Sequence, residues 1–151
     1  MPVFMVRIGV LVLVTILLWL LVWSGRRFVE TQRRRALAAA PITSGSEDVD
    51  ANASLSLVHI LAFSSADCRQ CHELQIPALQ RVLDARGSKV SVAEVDAPNS
   101  PDLTQRFRVL TLPSTVVMDA KGRAHAVNYG FANTQLLLDQ VDEVLAKVPV
   151  S

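Results

Sequence analysis

A chain of 151 residues suits one domain, or a domain with an appendage. Its 15 Lys and Arg nearly balance 14 Asp and Glu, and from residue 55 onward nine basic residues face ten acidic ones, so no basic excess supports nucleic-acid binding. Half of the residues are hydrophobic and there are only two cysteines; with His59 and His125 as the remaining candidates, a zinc site is short of well-placed ligands.

Taken from the first residue, the chain opens on apolar sequence. Residues 8–23 carry no charge, and reaching back to Val3 adds only Arg7. A helix over residues 3–23 would rise ~31 Å, about one bilayer core. Arg7 can carry its guanidinium to the headgroups at one end, while Trp19 and Trp23, the only tryptophans, suit the interface at the other. A cleaved signal peptide would have a shorter core and an early small-residue cleavage site. Here the first such site, Ala38-Ala39-Ala40, comes only after Arg26, Arg27, Arg33, Arg34 and Arg35. The expectation is therefore an uncleaved transmembrane anchor over residues 3–24. The five arginines after the span place its C-terminal side in the cytoplasm by the positive-inside rule, with the extracytoplasmic side as the alternative.

Residues 25–54 read as a basic flank followed by a flexible linker. From residue 36 the composition shifts to Ala, Ser, Pro, Gly and acids without apolar periodicity. Residues 55–151 then alternate strand and helix. Residues 57–63 form an apolar, β-branched run expected as a strand, and residues 68–86 carry helical spacing up to Gly87, with Pro77 marking a kink or break. Residues 89–95 alternate as a second strand. Ser100 is placed to cap a short helix entered through Pro101 and Asp102. Residues 115–118 and 123–129 should pair through a tight turn at residues 119–122, and Asn133 or Thr134 should cap a last helix whose Leu137, Val141, Val144 and Leu145 share a face. The order βαβαββα implies an α/β sandwich with parallel strands first and an antiparallel hairpin last.

Both cysteines fall in Cys68-Arg69-Gln70-Cys71, at the junction of the first strand and its helix. Thiols at i and i+3 on a first helical turn are close enough to form a disulfide and to break it. The free N–H groups and dipole of a helix N-terminus favour the thiolate. Asp67 should oppose a Cys68 thiolate and Arg69 favour it.

With these features in place, residues 55–148 resemble the thioredoxin family. The resemblance rests on Phe63 five residues before Cys68, on the Cys-Arg-Gln-Cys run opening a helix, on the stretch from Val95-Asp96 through Phe107-Arg108-Val109 to Thr111-Leu112-Pro113-Ser114, and on Gly130 after the last strand. It implies that Cys68 attacks a partner disulfide and that the more buried Cys71 resolves the mixed disulfide. It also implies that Pro113 is cis and that Thr111, Leu112 and Pro113 form the substrate-binding loop. Asp67, Arg69, Gln70 and His72 would tune the thiols. The sequence departs from the family at Asp67 and at Arg69-Gln70. The family's buried acid falls at Ala62 and its lysine near Val92.

The expected activity is membrane-tethered thiol–disulfide exchange on protein disulfides or sulfenic acids, with no cofactor and no metal. A neighbouring membrane protein within reach of the tether is a further candidate partner, beside the lipid bilayer. Two alternatives use the same residues. Cys68-Arg69-Gln70-Cys71-His72 matches the C-x-x-C-H haem attachment pattern, with His72 as axial ligand and Met118 opposite. The domain could instead be a non-catalytic redox-sensing module.

Overall fold

A computed structural model describes residues 2–38 and 56–147. The chain divides into two compact units, Met1–Arg34 and Arg35–Ser151. The first consists of most of a single helix, α1 (Pro2–Leu37), which runs without interruption through the apolar stretch and on through the arginines. It is long and apolar enough to cross a membrane, a property that a signal sequence near an N-terminus shares. Trp19 and Trp23 stack one turn apart with ring centroids at 6.3 Å, and the Arg27 guanidinium lies 4.6 Å from the Trp23 ring centroid. That cation–π contact joins the end of the apolar stretch to the start of the basic one. Glu30, among the arginines, accepts a bond from Arg34. Most of the expected linker, residues 39–54, lies outside the described residues.

The second unit carries β1 (Val58–Ser64), α2 (Ile76–Arg86), β2 (Val90–Asp96), α3 (Pro101–Arg106), β3 (Ser114–Asp119), β4 (Ala124–Tyr129) and α4 (Thr134–Lys147). The βαβαββα order is the expected one. The strands form one mixed sheet in the order β2-β1-β3-β4, with β1 parallel to β2 and antiparallel to β3, and β4 antiparallel to β3.

Alternation along the strands sorts the core into two layers. Val58, Ile60 and Ala62 point to the side where Leu79 and Val82 of α2 and Leu137, Val141 and Val144 of α4 are buried. Leu61 and Phe63 point the other way, toward Phe107, Val116, Met118 and Val127. Phe63 and Phe107 meet edge to face at 6.2 Å. Each fully buried aliphatic of α4 contributes about 2 kcal/mol by area, which explains why this helix, half apolar and half polar, docks by one face.

Two features differ from expectation. The helix after Cys68 is not uniform, because Cys71–Gln75 is a π-turn in which the Ile76 N–H reaches back to the Cys71 carbonyl. Pro77 has no N–H with which to continue the α-helical ladder, and the wide turn falls directly before it. At α3, Ser100 does not cap through its side chain. Its backbone, at φ −125° and ψ 60°, is away from the usual extended capping geometry, and its carbonyl instead accepts the Thr104 N–H at 3.0 Å. Asn133 does cap α4, its Oδ1 accepting the Leu136 N–H at 2.9 Å.

The β3–β4 turn is organised by one buried carboxylate. Asp119 Oδ1 accepts the backbone N–H groups of Lys121 and Arg123 at 2.9 and 3.0 Å, and Oδ2 accepts from Arg123 Nε at 2.8 Å and from His125 Nε2 at 3.2 Å. Burial pushes the Asp119 carboxyl up, but the bonds from Arg123, His125 and Lys121 together outweigh it and hold it at about 2. A folded-state value below the unfolded 3.8 stabilises the fold above that pH, and the contribution is lost as pH falls toward 2. Asp119→Asn should therefore cost on the order of 2 kcal/mol at pH 7 and little below pH 2. Urea unfolding at a series of pH values tests this, and an equal loss at both ends would refute it.

Candidate active site

β1 is paired so that its C-terminal end and the N-terminal end of β3 coincide, with Phe63 opposite Ser114. The segment leaving β1, residues 65–71, and the segment entering β3, residues 111–113, are thereby brought to the same end of the sheet. The first carries both cysteines, and the second carries the Leu112–Pro113 bond, which is cis.

Cys68 and Cys71 are joined in a disulfide with Cα atoms 5.3 Å apart. The pair is strongly asymmetric. Cys68 is partly exposed, whereas Cys71 is 1% exposed. The N–H of Cys71 donates to Cys68 Sγ at 3.2 Å, while the Cys68 carbonyl accepts the N–H groups of Cys71 and His72 at 3.1 and 3.3 Å. The first sulfur thus sits over the free N–H end of the helix, where negative charge is favoured.

The residues expected to tune the thiols all lie on the exposed surface: Asp67, Arg69, Gln70 and His72. Arg69 is turned along its own helix, donating to Glu73 Oε1 at 2.8 Å. Such an exposed i,i+4 pair is worth only a few tenths of a kcal/mol, so the guanidinium remains available electrostatically. Thr111 is exposed, Leu112 partly exposed and Pro113 buried. Ser114 Oγ donates to the Thr111 carbonyl at 2.6 Å, bracing the loop from inside. Gly130 closes it from the other side, its N–H donating to the Pro113 carbonyl at 2.8 Å from a left-handed backbone (φ 88°) that favours glycine.

Gln75, in the π-turn, is a residue that motif reading passed over. It is 2% exposed, and its amide grips Ala132 twice, Nε2 donating to the Ala132 carbonyl at 3.1 Å and Oε1 accepting the Ala132 N–H at 2.9 Å. The helix that carries the cysteines is thereby tied to the strand-end loop that holds Gly130, and through Gly130 to Pro113. A signal for it existed, since Gln75 interrupts the apolar stripe of Cys71, Ala78, Leu79 and Val82 at a position one turn after Cys71. A buried polar residue in such a stripe has to have a partner.

Ala62 and Val92, where the resemblance puts an acid and a lysine, both line a cavity of about 190 Å³ that also reaches Cys71 and Gln75. The geometry does not favour the haem arrangement. Met118 pairs with His59, four residues along β3 from Ser114, which is about 13 Å of strand. It is packed in the core at 4% exposure, at the other end of the sheet from His72. Among the described residues no three His, Cys, Asp or Glu side chains gather as a metal site.

The four-stranded mixed sheet, flanked by helices and bearing a cysteine pair at the first strand-to-helix junction, is a thioredoxin-like fold. No family model matches the chain. Along the sequence, it is 27% identical over 86 residues to thioredoxin of Alicyclobacillus acidocaldarius subsp. acidocaldarius, covering 57% of this chain and 80% of that one. In three dimensions it is similar to a mutant thioredoxin from Halobacterium salinarum (TM-score 0.57, 22% identity, 70% of this chain and 89% of that one). It is also similar to chloroplastic thioredoxin z (TM-score 0.54, 26% identity, 64% of this chain and 85% of that one). The fold is thus that of the thioredoxins, and the likeness in sequence supports membership of that family.

Replacing Gln75 with Ala leaves two backbone groups of Ala132 buried without partners. The expected cost is about 3 kcal/mol, from an unmet donor and an unmet acceptor together. Chemical denaturation of the oxidised protein measures it, and a loss well under 1 kcal/mol would show that the clamp contributes little.

Proposed function

We propose that the protein catalyses thiol–disulfide exchange with partner proteins. Cys68 is the attacking thiol and Cys71 the resolving one. The observation that carries this reading is the disulfide's asymmetry: one sulfur is within reach of a partner, and the other is 1% exposed behind it. A partner can meet Cys68 but not Cys71, so exchange has an order. The Cys68 thiolate attacks a sulfur of the partner disulfide and releases the other partner sulfur. Cys71 then attacks Cys68 Sγ, closing the internal disulfide and releasing the partner's remaining thiolate. A partner sulfenic acid would be met in the same way, with water as the group released.

Thr111, Leu112 and Pro113 form the edge along which the partner's chain lies, next to Cys68. Arg69 favours and Asp67 opposes the Cys68 thiolate, and Gln70 and His72 complete the exposed surface that a partner meets. Residues 3–24 serve as a membrane anchor, residues 25–54 as basic flank and linker, and residues 55–151 as the exchange domain. The five arginines after the span favour a cytoplasmic location for that domain, and a neighbouring membrane protein within tether reach is a natural substrate.

Cys71→Ser should accumulate a mixed disulfide through Cys68 that is stable until a reductant is added, whereas Cys68→Ser should accumulate none. Non-reducing gels and mass analysis of protein isolated from its host read the outcome. Trapping through Cys71 instead would reverse the assignment. A topology reporter fused after Ser151 should be active in the cytoplasm, and activity only on the far side would overturn the charge argument for orientation.

A further inference from the structure

The proposed exchange lays the partner's chain along Thr111–Pro113, and the segment leading into that loop begins where α3 stops. The Arg108 N–H donates to the Gln105 carbonyl at 3.2 Å, and the Val109 N–H to the Thr104 carbonyl at 2.9 Å. This pair of bonds closes a helix end in which the residue at position 108 takes a left-handed backbone, a place usually given to glycine. Arg108 has φ 52°, and among the described residues every other positive φ belongs to a glycine. Its neighbours pin the backbone on both sides. Phe107 is 1% exposed against Phe63, its carbonyl accepts the Tyr129 hydroxyl at 3.3 Å, and Val109 packs on the same core layer. Glycine would meet these demands without strain, so the arginine side chain calls for an explanation of its own. The fold supplies none. Arg106, two residues earlier, is half-buried with its guanidinium 5.9 Å from the Phe107 ring centroid. Arg108 is exposed, and among the described residues its guanidinium has no hydrogen bond or ion pair. Leu110, at 49% exposure, and Thr111 continue the exposed surface from Arg108 to Pro113.

From this placement we propose that Arg108 selects the partner: it receives a carboxylate side chain lying a few residues from the partner cysteine under attack. The inference rests on the exchange reading above and names its substrate class, protein segments that are acidic beside the reactive disulfide. The three residues from Arg108 to Thr111 span at most ~10 Å. A partner extended along Thr111–Pro113 therefore brings side chains within reach of Arg108 about three residues from its cysteine. A guanidinium can donate two parallel bonds to one carboxylate, which orients the segment as well as attracting it. The closed turn fixes the direction in which the side chain leaves the backbone, so less freedom is lost on binding. The other charges near the cysteines agree with this assignment. Arg69 already has a carboxylate, Glu73, at 2.8 Å. Asp67 is exposed and repels an acidic segment that approaches over the cysteine turn, steering it toward the segment that carries Arg108.

The test uses the full chain, reduced, in a non-ionic detergent, with two peptides that each carry one cysteine as its mixed disulfide with 2-pyridinethiol. One peptide has glutamates flanking the cysteine on both sides, and the other has glutamines in their place. Attack by Cys68 releases pyridine-2-thione, whose absorbance gives the second-order rate. The glutamate-to-glutamine rate ratio should be about threefold higher for the unaltered chain than for Arg108→Gly, as suits an exposed ion pair. Arg108→Lys should keep most of the preference, and 1 M salt should remove it. Lys121→Gln, which deletes an exposed cation at the other end of the sheet, should leave the ratio where it was. The urea midpoint of Arg108→Gly should not fall, because glycine suits the left-handed backbone, so a lost preference does not reflect unfolding. An unmoved ratio in Arg108→Gly, or an equal shift in Lys121→Gln, overturns the assignment while the exchange reading stands. An Arg108-dependent response only to phosphatidylserine added to the micelles overturns it too, and makes the cation a lipid contact. If neither peptide reacts with the unaltered chain, the exchange reading itself fails.

Discussion

Everything at the active end depends on how β1 is paired. It is the strand with a parallel neighbour on one side and an antiparallel neighbour on the other, and six of its seven residues are buried. A shift of one residue against β3 would turn Phe63 and Leu61 toward the wrong layer, so the burial of both faces locks the register. That lock sets Phe63 opposite Ser114. The cysteine segment and the Thr111–Pro113 segment, more than forty residues apart in sequence, therefore emerge side by side. The cysteine pair needs no contact of its own with the proline loop to be positioned, because the sheet has already done so.

A second constraint, polar rather than apolar, refines the first. The helix that begins at the cysteines would be free to slide on an oily face made of Val and Leu. Gln75 prevents this by holding both backbone groups of Ala132, and the Gly130 N–H holds the Pro113 carbonyl two residues earlier. Directional bonds thus connect three chain segments that dispersion alone would hold only loosely. The β3–β4 turn uses the same device at the opposite end, where Asp119 gathers Lys121, Arg123 and His125.

Which parts were legible in the sequence follows from the range of the interactions. The succession of strands and helices, the cysteine junction, the glycine after β4 and a cap at Asn133 or Thr134 are local patterns, and they were readable. The shape of the helix after Cys68 was readable only in part: Pro77 announced a disturbance, but nothing local distinguished a kink from a π-turn. Ser100 failed as a side-chain cap although its neighbours Pro101 and Asp102 suit a helix start, because the backbone angle there is set by the chain leaving β2 through the turn at Ala97–Asn99. Gln75 with Ala132, separated by 57 residues, and Ser64 with Glu94, separated by 30, were not legible as pairs. Each was visible only as a polar residue where an apolar one would have done, and the partner that justified it came from the fold.

The cysteine count itself has a consequence for the protein as an object. With two thiols in the whole chain, one of them 1% exposed, there is a single internal pairing and no isomer of it. A chain with four cysteines can store a wrong arrangement, but this one cannot. In disulfide exchange the pair has three conditions: open, closed on itself, or joined to something else. Each differs in mass from the others, so the state of the pair can be read from the weight of the chain.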